Sequence, residues 1–239
     1  MVSIVQNFVC TKSERLDVVH RNTVKLGNTF PNTDFFINYN SDINFESIKK
    51  SYLENIPKMN LYNDLTKDWA LVTLALMQEV KTPYVMYICE DMEVNCSNEE
   101  MWDTLNEFMS NDYDLCFLSK IRKYLDEQFI NGYTPYNDIP SPGYKPLEYG
   151  YFYLGKHAPH KRVPVDAIFK TKWLIERLEE FLEHGEACTH DIPFRKKHLP
   201  NFWEGYYDFH NGMRRFSDMK CHIPNKVIFR DFNKEKDKD

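Results

Sequence analysis

Three carboxylates follow an apolar stretch in the first half of the chain. Residues 84–89 are rich in Tyr, Val and Ile, which favour strands, and Glu90, Asp91 and Glu93 come directly after them. Acidic side chains belong beside such a run only where the chain leaves the core. An open α/β sheet binds its ligands at the carboxyl ends of its strands, and carboxylate oxygens there suit Mg²⁺ or Mn²⁺. The segment therefore predicts a metal site, with a solvated acidic turn as the alternative.

Strand and helix patterns alternate along the first half of the chain. Apolar or alternating runs predict strands at residues 2–9, 34–39, 59–62, 84–89 and 113–119, and apolar stripes predict helices at 13–26, 45–54, 68–80 and 97–109. This order predicts an α/β fold, a mostly parallel sheet with helices on both faces. Right-handed crossovers bring the strand ends to one edge, where Thr11, residues 38–42 and residues 90–93 converge.

Local signals mark the ends of these helices. Residues 11–14 and 97–100 have the S/T-x-x-E spacing of a capping box, which predicts two helix starts. Gly27, followed by an asparagine, predicts the end of the first helix, because these residues are common after a last turn. The helix at 68–80 is apolar on most sides, so we expect it to be buried against the sheet.

The pattern changes at about Lys120. Residues 124–164 have no clear period and are rich in tyrosine, at positions Tyr133, Tyr136, Tyr144, Tyr149, Tyr151 and Tyr153. A loop of this length in a compact domain is usually functional or disordered. Tyrosine rings stack on apolar sugar faces and offer a hydroxyl, which favours an ordered loop that covers a ligand. A packing segment or an oligomer contact is the alternative. Regular patterns return as a strand at 165–169 and a helix at 172–182.

Composition excludes several classes of protein. The chain has 239 residues, a net charge of -6 and only 8 glycines, which argues against a nucleic-acid-binding protein and against a glycine-rich phosphate loop. The six cysteines form no C-x-x-C pair, which argues against a zinc knuckle. Cys10, Cys89 and Cys116 lie in apolar runs and favour a reducing compartment. Without a signal-peptide pattern or an apolar run of membrane-spanning length, we expect a cytoplasmic protein with no transmembrane segment.

Four segments in this order resemble the GT-A fold glycosyltransferases, particularly those like family 2. Residues 9–16 (VCTKSERL) look like the first strand-to-helix turn of that family, and residues 36–42 (FINYNSD) look like its second strand. Residues 88–93 (ICEDME) look like its metal-binding DXD region. Residues 165–191, which end in His190 and Asp191, are similar to its acceptor-side strand and helix. The resemblance covers about residues 3–200 and implies a GT-A-like, Rossmann-like sheet.

Two positions depart from the family pattern. Asn38 stands where an aspartate usually contacts the nucleotide base, which leaves the identity of the base open. The acidic motif is Glu-Asp-Met-Glu instead of Asp-x-Asp. Asp91 is common to both possible pairs, and either Glu90 or Glu93 completes the pair.

The resemblance implies a single domain over residues 1–239, with a nucleotide-sugar half at about 1–120 and an acceptor half at about 121–239. The implied activity is metal-dependent transfer, with inversion, of a hexosyl or pentosyl group. The donor is a UDP- or GDP-type nucleotide sugar, and the acceptor is a glycan or another small hydroxyl compound. The cofactor is Mn²⁺ or Mg²⁺, which neutralises charge on the diphosphate leaving group. The implied donor-binding residues are Thr11, Glu14, Asn38, Asp42, Glu90, Asp91, Arg214 and Arg215.

The remaining implied roles each have a plainer alternative. Asp191 is the expected catalytic base, although an aspartate before a proline is also a common N-cap. His210 is expected to join Asp91 and Glu93 as a metal ligand or to contact phosphate, or else to be an ordinary packed side chain. Trp203 and Tyr151 are expected to bind the acceptor, and a core position is the alternative for Trp203. For the two arginines at 214–215 the alternative to diphosphate binding is plain surface charge.

Two other functions are compatible with the same residues. A sugar nucleotidyltransferase shares such a sheet and an acidic metal site, but it normally has a glycine-rich, basic first loop. Residues 10–15 are partly basic and contain no glycine, which argues against that function. A catalytically inactive carbohydrate-binding or scaffold protein would keep the fold and the tyrosines. Binding of a nucleoside diphosphate that depends on Mn²⁺ would favour the enzyme over that alternative.

Overall fold

The computed structural model describes residues 1–8, 14–39, 46, 49–50, 54–56, 58–62, 69–89, 92–118, 144–148, 151–154, 167–184, 219–222 and 229–231. The elements of the first half are β1 (Val2–Phe8), α1 (Glu14–Thr29), β2 (Phe35–Tyr39), β3 (Met59–Tyr62), α2 (Trp69–Glu79), β4 (Tyr84–Tyr87), β5 (Met92–Val94), α3 (Asn98–Ser110) and β6 (Leu115–Phe117). Those of the second half are β7 (Tyr144–Glu148), β8 (Tyr151–Leu154), β9 (Ala167–Lys170), α4 (Thr171–His184), β10 (Met219–His222) and β11 (Phe229–Asp231). Most predicted elements of the first half are therefore confirmed within a few residues.

The large sheet has the strand order β3-β2-β1-β4-β9-β6-β10-β8-β7. The strands β3, β2, β1 and β4 pair in parallel, and β10 pairs in parallel with β6. β9 lies antiparallel between β4 and β6, and β8 pairs antiparallel with both β10 and β7. Most strands of this sheet thus point the same way, which confirms the predicted α/β class.

Two apolar layers cover the two faces of the sheet at β1, β2, β4, β6 and β9. Successive side chains of a strand point to opposite faces, so Val85 of β4 enters one layer and Met86 enters the other. The first layer contains side chains of α2 and α4, and the second contains side chains of α1 and α3. Because β4 is covered on both faces, its sequence is an apolar run without polar alternation. None of the helices in the described ranges is long and apolar enough to cross a membrane.

Gly27 does not end the first helix, and that prediction is wrong. The helix α1 continues to Thr29, and the amide of Phe30 still donates to the carbonyl of Leu26 at 2.8 Å. A Cβ atom on Gly27 would clash with the backbone oxygen of Asn55. The glycine is therefore needed for the close approach of a neighbouring backbone, and not for a turn.

The second capping box is confirmed. Ser97 is the N-cap of α3: its hydroxyl accepts the amide of Glu100 at 3.2 Å, and the Glu100 carboxylate accepts the amide of Ser97 at 2.8 Å. Two orphan donors at the start of the helix are satisfied by this reciprocal pair. The capping box at residues 11–14 lies largely outside the described residues.

Two further expectations need correction. The strand that begins at Tyr84 ends at Tyr87, and Glu93 belongs to β5, which pairs antiparallel with β11 in a separate two-stranded sheet. Part of the tyrosine-rich segment is also not a loop, because β7 and β8 form an antiparallel pair at the edge of the large sheet. Pro146 is accommodated in β7 because an edge strand has one side free of ladder partners.

Candidate functional site

The carboxyl ends of three strands lie side by side, as the sequence predicted. β1 and β2 end level with each other, with Phe8 opposite Tyr39, and the last residue of β4, Tyr87, lies opposite Val5. The segments that follow these strands carry Thr11, Asp42 and the pair at 90–91. Strand ends at this edge of an open α/β sheet are the usual place for a ligand. We call this the carboxyl edge.

A buried polar network lies at the carboxyl edge. Asn38 donates from Nδ2 to Oδ1 of Asn7 at 2.9 Å, and Asn7 donates from Nδ2 to Oγ1 of Thr73 at 2.8 Å and to the carbonyl of Trp69 at 3.2 Å. The hydroxyl of Tyr87 donates to the carbonyl of Asn7 at 3.0 Å and accepts the indole N–H of Trp69 at 2.9 Å. All five residues are buried. The network ties the ends of β1, β2 and β4 to the first turns of α2.

This network has a structural consequence for the candidate site. Buried polar groups are costly unless they are hydrogen-bonded, so a satisfied network selects one arrangement of the strands that it joins. The sequence offered one signal for it, since Asn7 and Asn38 interrupt two apolar strands and prove to be register partners. Thr73 carried no such signal, because its neighbours in α2 are apolar.

Asn38 is fully buried within this network. Its side chain donates to Asn7, and its predicted contact with a nucleotide base is not tested by the described residues. Glu14 is the first residue of α1 and Tyr151 is the first residue of β8, and the side chains of both lie outside the description.

Glu93 has a cationic partner. Its Oε1 lies 3.1 Å from Nε and 3.1 Å from Nη2 of Arg21 on α1. The side chain of Glu93 is 18% exposed and that of Arg21 is 51% exposed. On β5 the flanking residues Met92 and Val94 are buried in the second apolar layer, so Glu93 points away from that core. Its role as a metal ligand stays a prediction, and the ion pair would compete with it.

The other predicted site residues lie outside the described part of the chain: Thr11, Asp42, Glu90, Asp91, Asp191, Trp203, His210, Arg214 and Arg215. Among the residues that are described, no group of three or more His, Cys, Asp or Glu side chains lies together as a metal site would require. The predicted burial of Cys89 and Cys116 is confirmed, and Cys96 is buried as well. Cys10 lies outside the described residues.

A groove of about 560 Å³ lies at the opposite edge of the sheet, between the start of β4 and the start of α4. Thr82, Tyr84 and Lys170 are among its lining residues. The Lys170 ammonium is 2.5 Å from Asp112 and 3.5 Å from Asp114. Burial lowers the pKa of Lys170, but the hydrogen bonds and charges of the two aspartates outweigh it, so its pKa is raised. Because its cation is already paired, this groove is a weaker candidate than the carboxyl edge.

Comparison with known proteins gives structural matches only. No family model and no curated protein matches the chain. Staphylococcus aureus TarS superposes with a TM-score of 0.54 at 10% identity, over 95% of this chain and 36% of that one.

Two further solved structures align less closely. A Pyrobaculum calidifontis mannosyltransferase in complex with GDP-Man and Mn²⁺ gives a TM-score of 0.48 at 10% identity, over 95% of this chain and 55% of that one. The galactosyltransferase LgtC gives a TM-score of 0.44 at 12% identity, over 94% of this chain and 73% of that one. The chain thus spans little more than a third of TarS, and at this identity the likeness to TarS concerns the fold. Together with the mixed sheet described above, it shows that the chain has a GT-A-like fold, the fold of glycosyltransferases.

Proposed function

We propose that this protein is a glycosyltransferase that moves a hexosyl or pentosyl group from a UDP- or GDP-type nucleotide sugar to a hydroxyl of a glycan or small acceptor. One observation carries the proposal. The carboxyl ends of β2, β1 and β4 lie side by side in a GT-A-like sheet, and the acidic pair Glu90 and Asp91 follows the central strand β4 within four residues. Ligands of such sheets bind at this edge.

We propose Mn²⁺ or Mg²⁺ as the cofactor. The carboxylates at 90, 91 and 93 and the imidazole of His210 offer the oxygen and nitrogen donors that these ions accept. The ion pair between Arg21 and Glu93 favours Glu90 as the partner of Asp91, because Glu93 would have to exchange a guanidinium for the metal. When bound, the ion would neutralise negative charge on the leaving diphosphate.

The residues of the second half supply the remaining roles in the proposal. Asp191 takes the proton of the acceptor hydroxyl as its oxygen attacks the anomeric carbon and the bond to the diphosphate breaks, with inversion. Arg214 and Arg215 pair with the diphosphate oxygens. Trp203 and Tyr151 stack on the acceptor. These roles follow from the sequence resemblance.

A thermal-shift screen of UDP- and GDP-sugars with and without Mn²⁺ tests the proposal. A ligand that binds the folded state raises the melting temperature by mass action, so we expect a donor to raise it only when Mn²⁺ is present. Asp91→Ala should remove this shift and leave the melting temperature without ligand unchanged. Asp103→Ala, which removes an exposed carboxylate on α3, is the control and should keep the shift.

The products then distinguish the possible reactions. Release of a free nucleoside diphosphate from the nucleotide sugar on addition of an acceptor identifies glycosyl transfer. Release of pyrophosphate when a nucleoside triphosphate and a sugar 1-phosphate are supplied instead identifies nucleotidyl transfer. If no nucleotide sugar shifts the melting temperature with or without Mn²⁺, the proposed function is wrong. If Asp91→Ala retains a full Mn²⁺-dependent shift, the proposed metal site is wrong.

A further inference from the structure

The acidic pair lies between two points of the chain that are held in place. On its amino side, the amide of Ile88 donates to the carbonyl of Val5 at 3.1 Å, which extends the pairing of β4 with β1. On its carboxyl side, β5 begins at Met92. Three peptide units join Cys89 to Met92, and they span at most about 11 Å. Along the chain, Asp91 is directly next to Met92, and Glu90 is one position further back.

Asn22 of α1 holds β5 by its backbone. The side chain is 3% exposed, and both ends of its amide are used. Nδ2 donates to the carbonyl of Met92 at 2.5 Å, and Oδ1 accepts the amide of Val94 at 3.1 Å. Lys25, one turn further along α1, adds a contact from Nζ to the carbonyl of Val94 at 3.3 Å.

The amide of Asn22 takes the place of a neighbouring strand. β5 is only three residues long and pairs with β11, in which Arg230 lies opposite Glu93. So short a pair of strands is marginal by itself. In a wider sheet, a partner strand would donate to the carbonyl of Met92 and accept from the amide of Val94. Here the side-chain amide of Asn22 makes both hydrogen bonds.

We propose that Asn22 is a positioning residue of the metal site, and that by holding β5 it fixes Glu90 and Asp91 in the arrangement that binds a divalent cation. This inference rests on the proposed function, in which those two carboxylates hold Mn²⁺ or Mg²⁺. Partners that orient metal ligands typically change metal affinity by about 10- to 100-fold when they are removed.

The variant Asn22→Asp tests the inference. It has nearly the same shape and keeps the acceptor for Val94, but it places a second acceptor against the carbonyl of Met92. The control is Thr23→Val at the next position of α1, which is equally buried and whose hydroxyl donates to the carbonyl of Val19 within the helix. Urea unfolding gives the loss of stability of each variant, and a Mn²⁺ titration with UDP or GDP present gives the metal affinity.

We expect Asn22→Asp to weaken Mn²⁺ binding at least tenfold, and saturating Mn²⁺ to restore nucleotide affinity to that of the wild type. Thr23→Val should leave Mn²⁺ affinity unchanged whatever it does to stability. Lys25→Met removes only the hydrogen bond to the carbonyl of Val94 and should weaken Mn²⁺ binding by a smaller factor. It replaces Asn22→Asp as the test if that variant does not fold.

Each outcome decides between the two proposals. Unchanged Mn²⁺ affinity in Asn22→Asp, or in Lys25→Met if Asn22→Asp does not fold, overturns the positioning role alone. Equal weakening in Thr23→Val also overturns it, since that result means general destabilisation. If the wild-type chain binds no Mn²⁺, or binds it equally well after Asp91→Ala, the proposed metal site fails first and the positioning role fails with it.

Discussion

Replacing Tyr87 by phenylalanine removes one hydroxyl from the network at the carboxyl edge. That hydroxyl accepts the indole N–H of Trp69 at 2.9 Å and donates to the carbonyl of Asn7 at 3.0 Å. Tyr87 is 2% exposed and Trp69 is 3% exposed, so water does not readily replace the hydroxyl. The indole N–H of Trp69 and the carbonyl of Asn7 then each lose the hydrogen bond that the Tyr87 hydroxyl makes with them.

The expected cost follows from these two bonds. Leaving a buried donor or acceptor without its partner costs about 1–3 kcal/mol, compared with about 0.5–1.5 kcal/mol for an average hydrogen bond. The ring of phenylalanine keeps the apolar contacts and the edge-on packing against Trp69, so packing adds little to the loss. We therefore expect the free energy of unfolding to fall by about 2 kcal/mol.

Tyr84→Phe is the matched control, on the same strand at the opposite edge of the sheet. Its hydroxyl reaches only the carbonyl of Met109, at 3.5 Å, and the residue is half-buried. We expect a change below about 0.5 kcal/mol, because this contact is at the limit of hydrogen-bond geometry. Urea unfolding followed by tryptophan fluorescence measures both variants. Equal losses, or no loss for Tyr87→Phe, would refute the importance of the network.

Three other perturbations test separate parts of the structure. Gly27→Ala should destabilise the protein by about 1–3 kcal/mol through overpacking, because the new Cβ would clash with the backbone oxygen of Asn55; a gain of about 1 kcal/mol, as expected for alanine in an ordinary helix interior, would contradict this contact. Lys170→Met should cost less than about 1 kcal/mol at pH 7, because one partner is mostly exposed. Since the pKa of Lys170 is raised, the contribution of its ion pairs to the free energy of unfolding is complete below the usual value of 10.5 and is lost as the pH rises through the folded-state pKa. A difference between wild type and variant in the free energy of unfolding that grows with pH would argue against this. Asp191→Asn should abolish transfer and keep Mn²⁺-dependent donor binding, measured by product release and by thermal shift, and normal turnover would eliminate Asp191 as the base.

Local sequence patterns determined much of the fold. The strand at residues 59–62 and the capped start of α3 were predicted correctly because alternation and cap chemistry act over a few neighbouring residues. The apolar run before Glu90 correctly indicated a buried strand, and the structure shows that it is covered on both faces. The order of strands and helices also indicated which strand ends meet at one edge.

Where local patterns failed, a distant partner was the reason. Gly27 has the composition of a helix end, but the backbone of Asn55 requires a glycine within the helix. The tyrosine-rich segment shows no period, yet β8 is a strand because β10, far along the chain, pairs with it. The sequence alone gave Glu93 no partner, and Arg21 on α1 supplies one.

The sequence by itself determined the class of fold, the burial of β4 and the position of an acidic pair directly after that strand. Only the tertiary structure decided how the flanks of that pair are held, through the pairing of β5 with β11 and the amide of Asn22 on β5. The physical reason is that periodicity records whether a side chain is buried and not which residue it meets. Burial repeats along the chain, whereas a hydrogen-bond partner depends on which distant elements the fold brings together.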